Sequence, residues 1–187
     1  MVMVPAPTGE VVLVFANVQG ATGLWDRASA SMTQASVIYS DVLRTNLENY
    51  QGYEVKSEGD TFMVAFEHAL DAVKWCLSTQ EKLATAIWPE EILAESFGAE
   101  VTTESGKVLF RGLRVRMGVH VGRPTCTEDP ITGRMDYFGP MVNRTARIAN
   151  AGHGGQILLS AEVLQSDERL DVIKFIDFKV INKTLVF

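Results

Sequence analysis

Cysteine is scarce in this chain: Cys76 and Cys126 stand alone, without Cys-x-x-Cys spacing and without a nearby histidine pair. A disulfide framework and a structural zinc site are therefore excluded, and a reducing, cytosolic setting is expected. Long apolar runs are also missing. The longest near the start, Val11 to Val18, falls far short of the roughly 20 residues that cross a bilayer, and it lacks the basic flank of a signal peptide. The expectation is a soluble, cytoplasmic piece without a transmembrane segment, either free or as the cytosolic part of a membrane-associated protein. Basic charge is in deficit, with 17 Lys and Arg against 23 Asp and Glu and a formal net charge of -6. No broad basic surface for nucleic acid is expected, although a local cluster can still hold the phosphates of a small anion.

What is present suffices for one core. Nearly half of the 187 residues are apolar, which favours a single domain over 1–187. The chain begins almost directly on a strand, so a module of a larger protein is expected. Val11 to Phe15 reads as a buried strand, and Gln19-Gly20-Ala21-Thr22-Gly23 as a turn into a helix. Helical spacing from Leu24 to Asn49 predicts one long helix or two abutting ones. Tyr53 to Glu58 and Thr61 to Phe66 flank Gly59-Asp60 as a hairpin, and a helical stripe from Ala69 ends at Pro89. The acidic segment 90–106 reads as a surface insertion leading into a strand pair, Lys107 to Phe110 and Leu113 to Val121. Arg123 to Gly139 reads as a loop or irregular hairpin, Pro140 to Asn150 as a helix with Pro in its first turn, and Gln156 to Leu159 as a strand. Ser160 is a good cap for a helix to about Gln165, and Val172 to Val180 is strand-like. Strands mixed with helices, two hairpins among them, predict an α+β fold.

Three stretches could carry chemistry. In Phe15-Ala16-Asn17-Val18-Gln19-Gly20-Ala21-Thr22 a strand delivers a polar side chain and turns through small residues into a helix N-terminus. Free N–H groups around Gly20 and Thr22 suit phosphate, though an ordinary strand-to-helix turn looks the same. In Tyr53 to Met63, Lys56 lies near a strand end and Asp60 at the hairpin tip, where a carboxylate is a hard ligand for magnesium or simply a solvated charge. In Met135 to Arg147, Asn143 and Arg147 are four apart and share a helix face, fit for a ligand or for a solvated edge.

Taken in order, these stretches resemble the signature blocks of class III nucleotidyl cyclases, from Val11 to Ser160. Gly52-Tyr53-Glu54-Val55-Lys56, Trp88-Pro89-Glu90-Glu91-Ile92, Val115 to His120 and Arg134 to Asn143 look most like the adenylyl cyclases of fungi, with trypanosomatid enzymes more distant. The resemblance implies a ferredoxin-like fold with a mixed or antiparallel sheet flanked by helices. It also implies a head-to-tail dimer, homodimeric or heterodimeric, that converts ATP to cyclic AMP and pyrophosphate in intracellular signalling.

By the same resemblance, Mg2+ or Mn2+ is held by Asp60, Asn17 and Val18, with Asn17 standing where the family shows its first aspartate. Lys56 and Asp136 match the pair that reads adenine, where guanylyl cyclases carry Glu and Cys-like residues. Asn143 and Arg147 match the pair that orients the ribose and stabilises the transferring phosphoryl group. Gly20 and Thr22 fall in the phosphate turn, and Lys183 is the candidate phosphate-binding lysine in a tail whose motif is degraded, so that its closing hairpin is in question.

Asparagine keeps an oxygen but loses a charge, so activity is expected to suffer. The competing expectation is a silent cyclase-homology domain that binds nucleotide or dimerises. A relative of the DNA-polymerase palm ranks last, because the acidic surface offers no path for nucleic acid.

Overall fold

The computed structural model describes residues 4–170, 179–181 and 184–186. The elements run β1 (Val11–Val18), α1 (Ala21–Arg27), α2 (Ser29–Leu47), β2 (Tyr53–Glu58), β3 (Thr61–Phe66), α3 (Ala69–Thr85) and α4 (Glu90–Ala94). Then follow β4 (Val101–Thr102), β5 (Val108–Phe110), β6 (Val115–Gly122), β7 (Thr125–Glu128) and β8 (Met135–Phe138). The remainder is α5 (Pro140–Ala151), β9 (Ile157–Ser160), α6 (Ala161–Ser166), β10 (Lys179–Ile181) and β11 (Thr184–Val186). The α+β expectation holds. A seven-stranded sheet in the order β10-β11-β9-β6-β1-β3-β2 is antiparallel except where β6 runs parallel to β9.

β1 lies between β3 and β6, and both of its faces are buried. Val12, Val14, Ala16 and Val18 join the large core, and Val11 and Leu13 the smaller one. That burial on both sides explains why the run is continuously apolar instead of alternating. Over the first face lie α2 and α3. Met32, Ala35, Tyr39, Leu43 and Leu47 recur along α2 at three- and four-residue spacing, and all are buried. Asn46, fully buried, cross-links the two helices: its Nδ2 donates to Thr79 Oγ1 at 2.7 Å and to the Trp75 carbonyl at 3.2 Å. The helical run from Leu24 resolves into two abutting helices that break at Ala28.

The second face carries Met63, Ala65 and Val55, and it is covered by the β7–β8 hairpin through Tyr137 and by α5 through Met141. α5 crosses β6 at Gly118. A Cβ there would overlap the backbone of Ala149, so only glycine admits the helix this close to the sheet.

Three expectations change. β5 pairs with β4 and not with β6, because both edges of β6 are already taken by β1 and β9. Segment 90–106 carries α4, whose Ile92 is fully buried, and it is tied down by Arg27 Nε to Glu95 at 2.7 Å and by Ser31 Oγ to Glu91 at 3.0 Å. Ser160 occupies the cap position of α6 without capping it, since its hydroxyl lies 2.8 Å from His120 Nδ1. The strand expected at Val172 to Val180 lies outside the described residues except for the start of β10, and Lys183 lies outside them altogether. The closing hairpin is present: β10 pairs with β11, and β11 with β9.

Substituting Gly118→Ala should destabilise the fold by about 1–3 kcal/mol through overpacking of α5 on β6. Urea denaturation measures it, and an unchanged midpoint would contradict this packing.

Candidate functional site

The face of the sheet under α5 and the β7–β8 hairpin carries Asn17 and the Lys56–Asp136 pair. Asn17 follows Val11 and Leu13 at even spacing, so it points to the same face. It is 8% exposed, and its Nδ2 donates to Asn150 Oδ1 on α5 at 3.2 Å. Its Oδ1 is buried with no hydrogen-bond partner. Directly across the β1–β6 ladder stands Arg116, whose Nη1 reaches the Asn150 carbonyl at 3.5 Å and whose Nε is buried and unpartnered. Neither Arg116 nor Asn150 was singled out from the sequence. Their signal was the register of β6 against β1, which no local pattern reports.

Asp60 sits at the β2–β3 tip after Gly59, which takes φ 60°. Its carbonyl accepts the Val18 N–H at 3.3 Å, joining the hairpin tip to the end of β1. Tyr39 on α2 reinforces this junction, donating its hydroxyl to the Ala16 carbonyl at 3.1 Å and reaching the Asp60 carbonyl at 3.5 Å. Burial, and then the Asp60 charge, push the Tyr39 hydroxyl well above the ordinary phenol range, so it stays a donor.

The turn after β1 is held from both sides. Gln19 N–H donates to the Arg114 carbonyl at 2.8 Å, and Gln19 Oε1 accepts the Gly154 N–H at 2.5 Å. Gly20 follows with φ 72° and is covered by the Phe97 ring, which a Cβ on Gly20 would approach to 2.6 Å. Thr22 is exposed.

Lys56 and Asp136, eighty residues apart, form an ion pair with Nζ 2.8 Å from Oδ2. A register shift between Glu54 and Lys56 makes the contact possible. It sets Lys56 opposite Met63, so Lys56 faces the same way as that buried side chain. Strict alternation would have put Lys56 on the face of Glu54. The other Asp136 oxygen accepts the Tyr137 N–H at 2.8 Å. β8 is further fastened to β2 where the Met135 N–H donates to Tyr53 Oη at 2.9 Å and Arg134 Nη2 donates to the Glu54 carbonyl. Asn143 and Arg147 are both exposed on α5, and Arg147 Nε turns back to the Asn143 carbonyl at 3.4 Å.

A divalent cation is implied by the resemblance, and the residues fit one such ion. Among the described residues no three His, Cys, Asp or Glu side chains cluster; the protein oxygens that would serve such an ion near the end of β1 are the Asp60 carboxylate and the orphaned Asn17 Oδ1, with water or ligand oxygens completing the set. One carboxylate and one neutral amide oxygen make a weaker set than two carboxylates.

Beneath α5, His120 is buried between Ser160 and the Arg144–Glu162 ion pair at 2.8 Å. Burial, and then the Arg144 charge, lower its pKa from the ordinary value, with Glu162 opposing. The unfolded chain therefore takes up a proton near pH 6.5 while the folded chain resists it. Stability from this group is complete above about pH 6.5 and is lost as pH falls through the lower folded value. Urea midpoints measured between pH 7 and pH 5 should fall for the unmodified chain and fall less for His120→Gln, whose side chain no longer titrates.

The adenylate and guanylate cyclase catalytic domain family matches residues 3–183. An adenylate cyclase of Mycosarcoma maydis is 49% identical over 162 residues, covering 87% of this chain and 6% of that protein. One from Lachancea kluyveri is 47% identical over 156 residues, covering 83% and 8%. The chain thus spans less than a tenth of the length of these curated relatives. Among solved structures, an adenylate cyclase of Trypanosoma brucei in its monomeric state superposes with a TM-score of 0.84 at 26% identity, covering 97% of this chain and 89% of that one.

Proposed function

This chain belongs to the adenylate and guanylate cyclase catalytic domain family, and we propose that it is an adenylyl cyclase catalytic domain that converts ATP to cyclic AMP and pyrophosphate, slowed at Asn17. The observation that carries the reading is the Lys56–Asp136 pair at 2.8 Å, with the two side chains 39% and 27% exposed. A lysine donor beside a carboxylate acceptor complements the ring nitrogen and exocyclic amine of adenine. Guanine presents the reverse pattern and would leave polar groups unpaired.

The other residues take roles that their placement supports. Asn143 orients the ribose so that its 3′-hydroxyl lies in line with the α-phosphorus. Arg147, a planar cation on the exposed face of α5, stabilises the charge that grows as the P–O bond to pyrophosphate breaks. The backbone at Gly20 and Thr22 and the free guanidinium N–H of Arg116 receive phosphate oxygens. Asp60, Asn17 Oδ1 and Val18 at the end of β1 hold magnesium or manganese. Such an ion supplies Lewis-acid stabilisation of phosphate charge and a more acidic 3′-hydroxyl.

The exposed Asn143 and Arg147 reach outward from α5, which suits a site completed by a second cyclase domain. In that arrangement Asp60 and Asn17 of one copy serve the ATP read by Lys56, Asp136, Asn143 and Arg147 of the other. Among the described residues no helix is long and apolar enough to cross a membrane. A silent, nucleotide-binding regulator is the second reading, and one observation favours it: the Asn17 amide is engaged by Asn150.

Cyclic AMP formation from ATP, with magnesium and with manganese at high protein concentration, separates the two. Asn17→Asp should raise the rate by roughly tenfold for each ~1.4 kcal/mol of stabilisation regained; silence in both chains means a regulator. Mixing an Asn17→Asp, Arg147→Ala chain with the unmodified chain should yield more cyclic AMP than either alone, because the mixed dimer holds one complete composite site. No gain on mixing would contradict the shared site.

A further inference from the structure

Resting on the reading of Lys56 and Asp136 as the base-reading pair, we propose that Phe138 is a positioning residue that fixes the Lys56 ammonium and thereby sets discrimination between adenine and guanine nucleotides.

Lysine carries a compact charge on a flexible four-carbon stem, so one ion pair alone leaves its head free to swing around the carboxylate. Here the head is held from two directions. Asp136 Oδ2 lies 2.8 Å from Nζ, and the Phe138 ring centroid lies 5.4 Å from it, within cation–π range. The carboxylate itself cannot turn freely, since its Oδ1 is tied to the Tyr137 N–H. Phe138 follows Asp136 by two residues on β8, so both side chains stand on the same face of that strand.

Phe138 is 46% exposed, unusual for a phenylalanine next to a buried Tyr137, and neither of the two hydrophobic clusters includes it. Core packing therefore does not account for it, whereas a ring beside a cation does. Gly139 comes next, at φ 104°, and turns the chain into α5. β8 thus leads from Asp136 through Phe138 directly into the helix that carries Asn143 and Arg147. With the ammonium held at one point, the pair offers a donor and an acceptor at fixed spacing; with the head free, it could also adapt to guanine.

ATP and GTP affinities of the full chain, measured by calorimetry, test this for the unmodified protein, Phe138→Leu, Phe138→Tyr and Lys56→Ala. Leucine keeps an apolar side chain without the ring quadrupole. Phe138→Leu should cut the ATP-to-GTP affinity ratio by about two- to fivefold, Phe138→Tyr should preserve it, and Lys56→Ala should abolish it. The Lys56 Cε methylene protons should also be shifted upfield by the ring in the unmodified protein and return toward the free-lysine position in Phe138→Leu. If Lys56→Ala abolishes discrimination but Phe138→Leu leaves it intact, or weakens ATP and GTP equally, the role of Phe138 is overturned while the pair's role stands. If Lys56→Ala leaves the ratio unchanged, or neither nucleotide binds, the reading of the pair falls and this inference falls with it.

Discussion

The absence of a side chain at Gly118 is the constraint on which the site depends. It lets α5 rest on the backbone of β6 opposite Ala149, and α5 is the element that carries Asn143, Arg147 and Asn150. With the helix at that depth, Asn150 reaches Asn17 in the middle of the sheet. Interiors packed to crystal-like density transmit such a constraint without slack. Met141 at the start of the helix closes over the smaller core, so the same contact seats the β8-to-α5 corner where Asp136 and Phe138 stand.

The site divides into two electrostatic halves. One consists of Lys56 and Asp136, opposite charges held 2.8 Å apart. As a half-exposed pair it contributes little to stability, and recognition is its better explanation. The other half is the end of β1, where Asn17 and Arg116 face each other across the ladder with buried groups left unpaired. Unpaired buried polar atoms are costly in a fold that otherwise satisfies them, and they gather where a ligand is to complete the set. Asn17, a neutral amide, gives that guanidinium no negative partner across the ladder.

Most of the architecture was legible in the residues. The β2–β3 hairpin was readable to the residue because Gly59-Asp60 interrupts two strand-like runs, and Pro140 marked the first turn of α5. Those signals are local, set by backbone sterics within a few residues. The β5 partner was misread because pairing depends on which edges are free, and β6 has none. The Ser160 hydroxyl was misread because His120, forty residues away, offered a better partner than the helix end.

The candidate site followed the same divide. Sequence alone determined which groups are available: a lysine, two aspartates, an asparagine–arginine helix face, and Asn17 at the end of β1. Their types and spacing are covalent facts. Tertiary structure alone decided where they point. The register shift after Glu54 turns Lys56 toward Asp136, which strict alternation would have prevented, and the β1–β6 register brings Arg116 to Asn17. Register is set by pairing over the whole sheet and by the burial of its faces, so no single stretch of residues contains it.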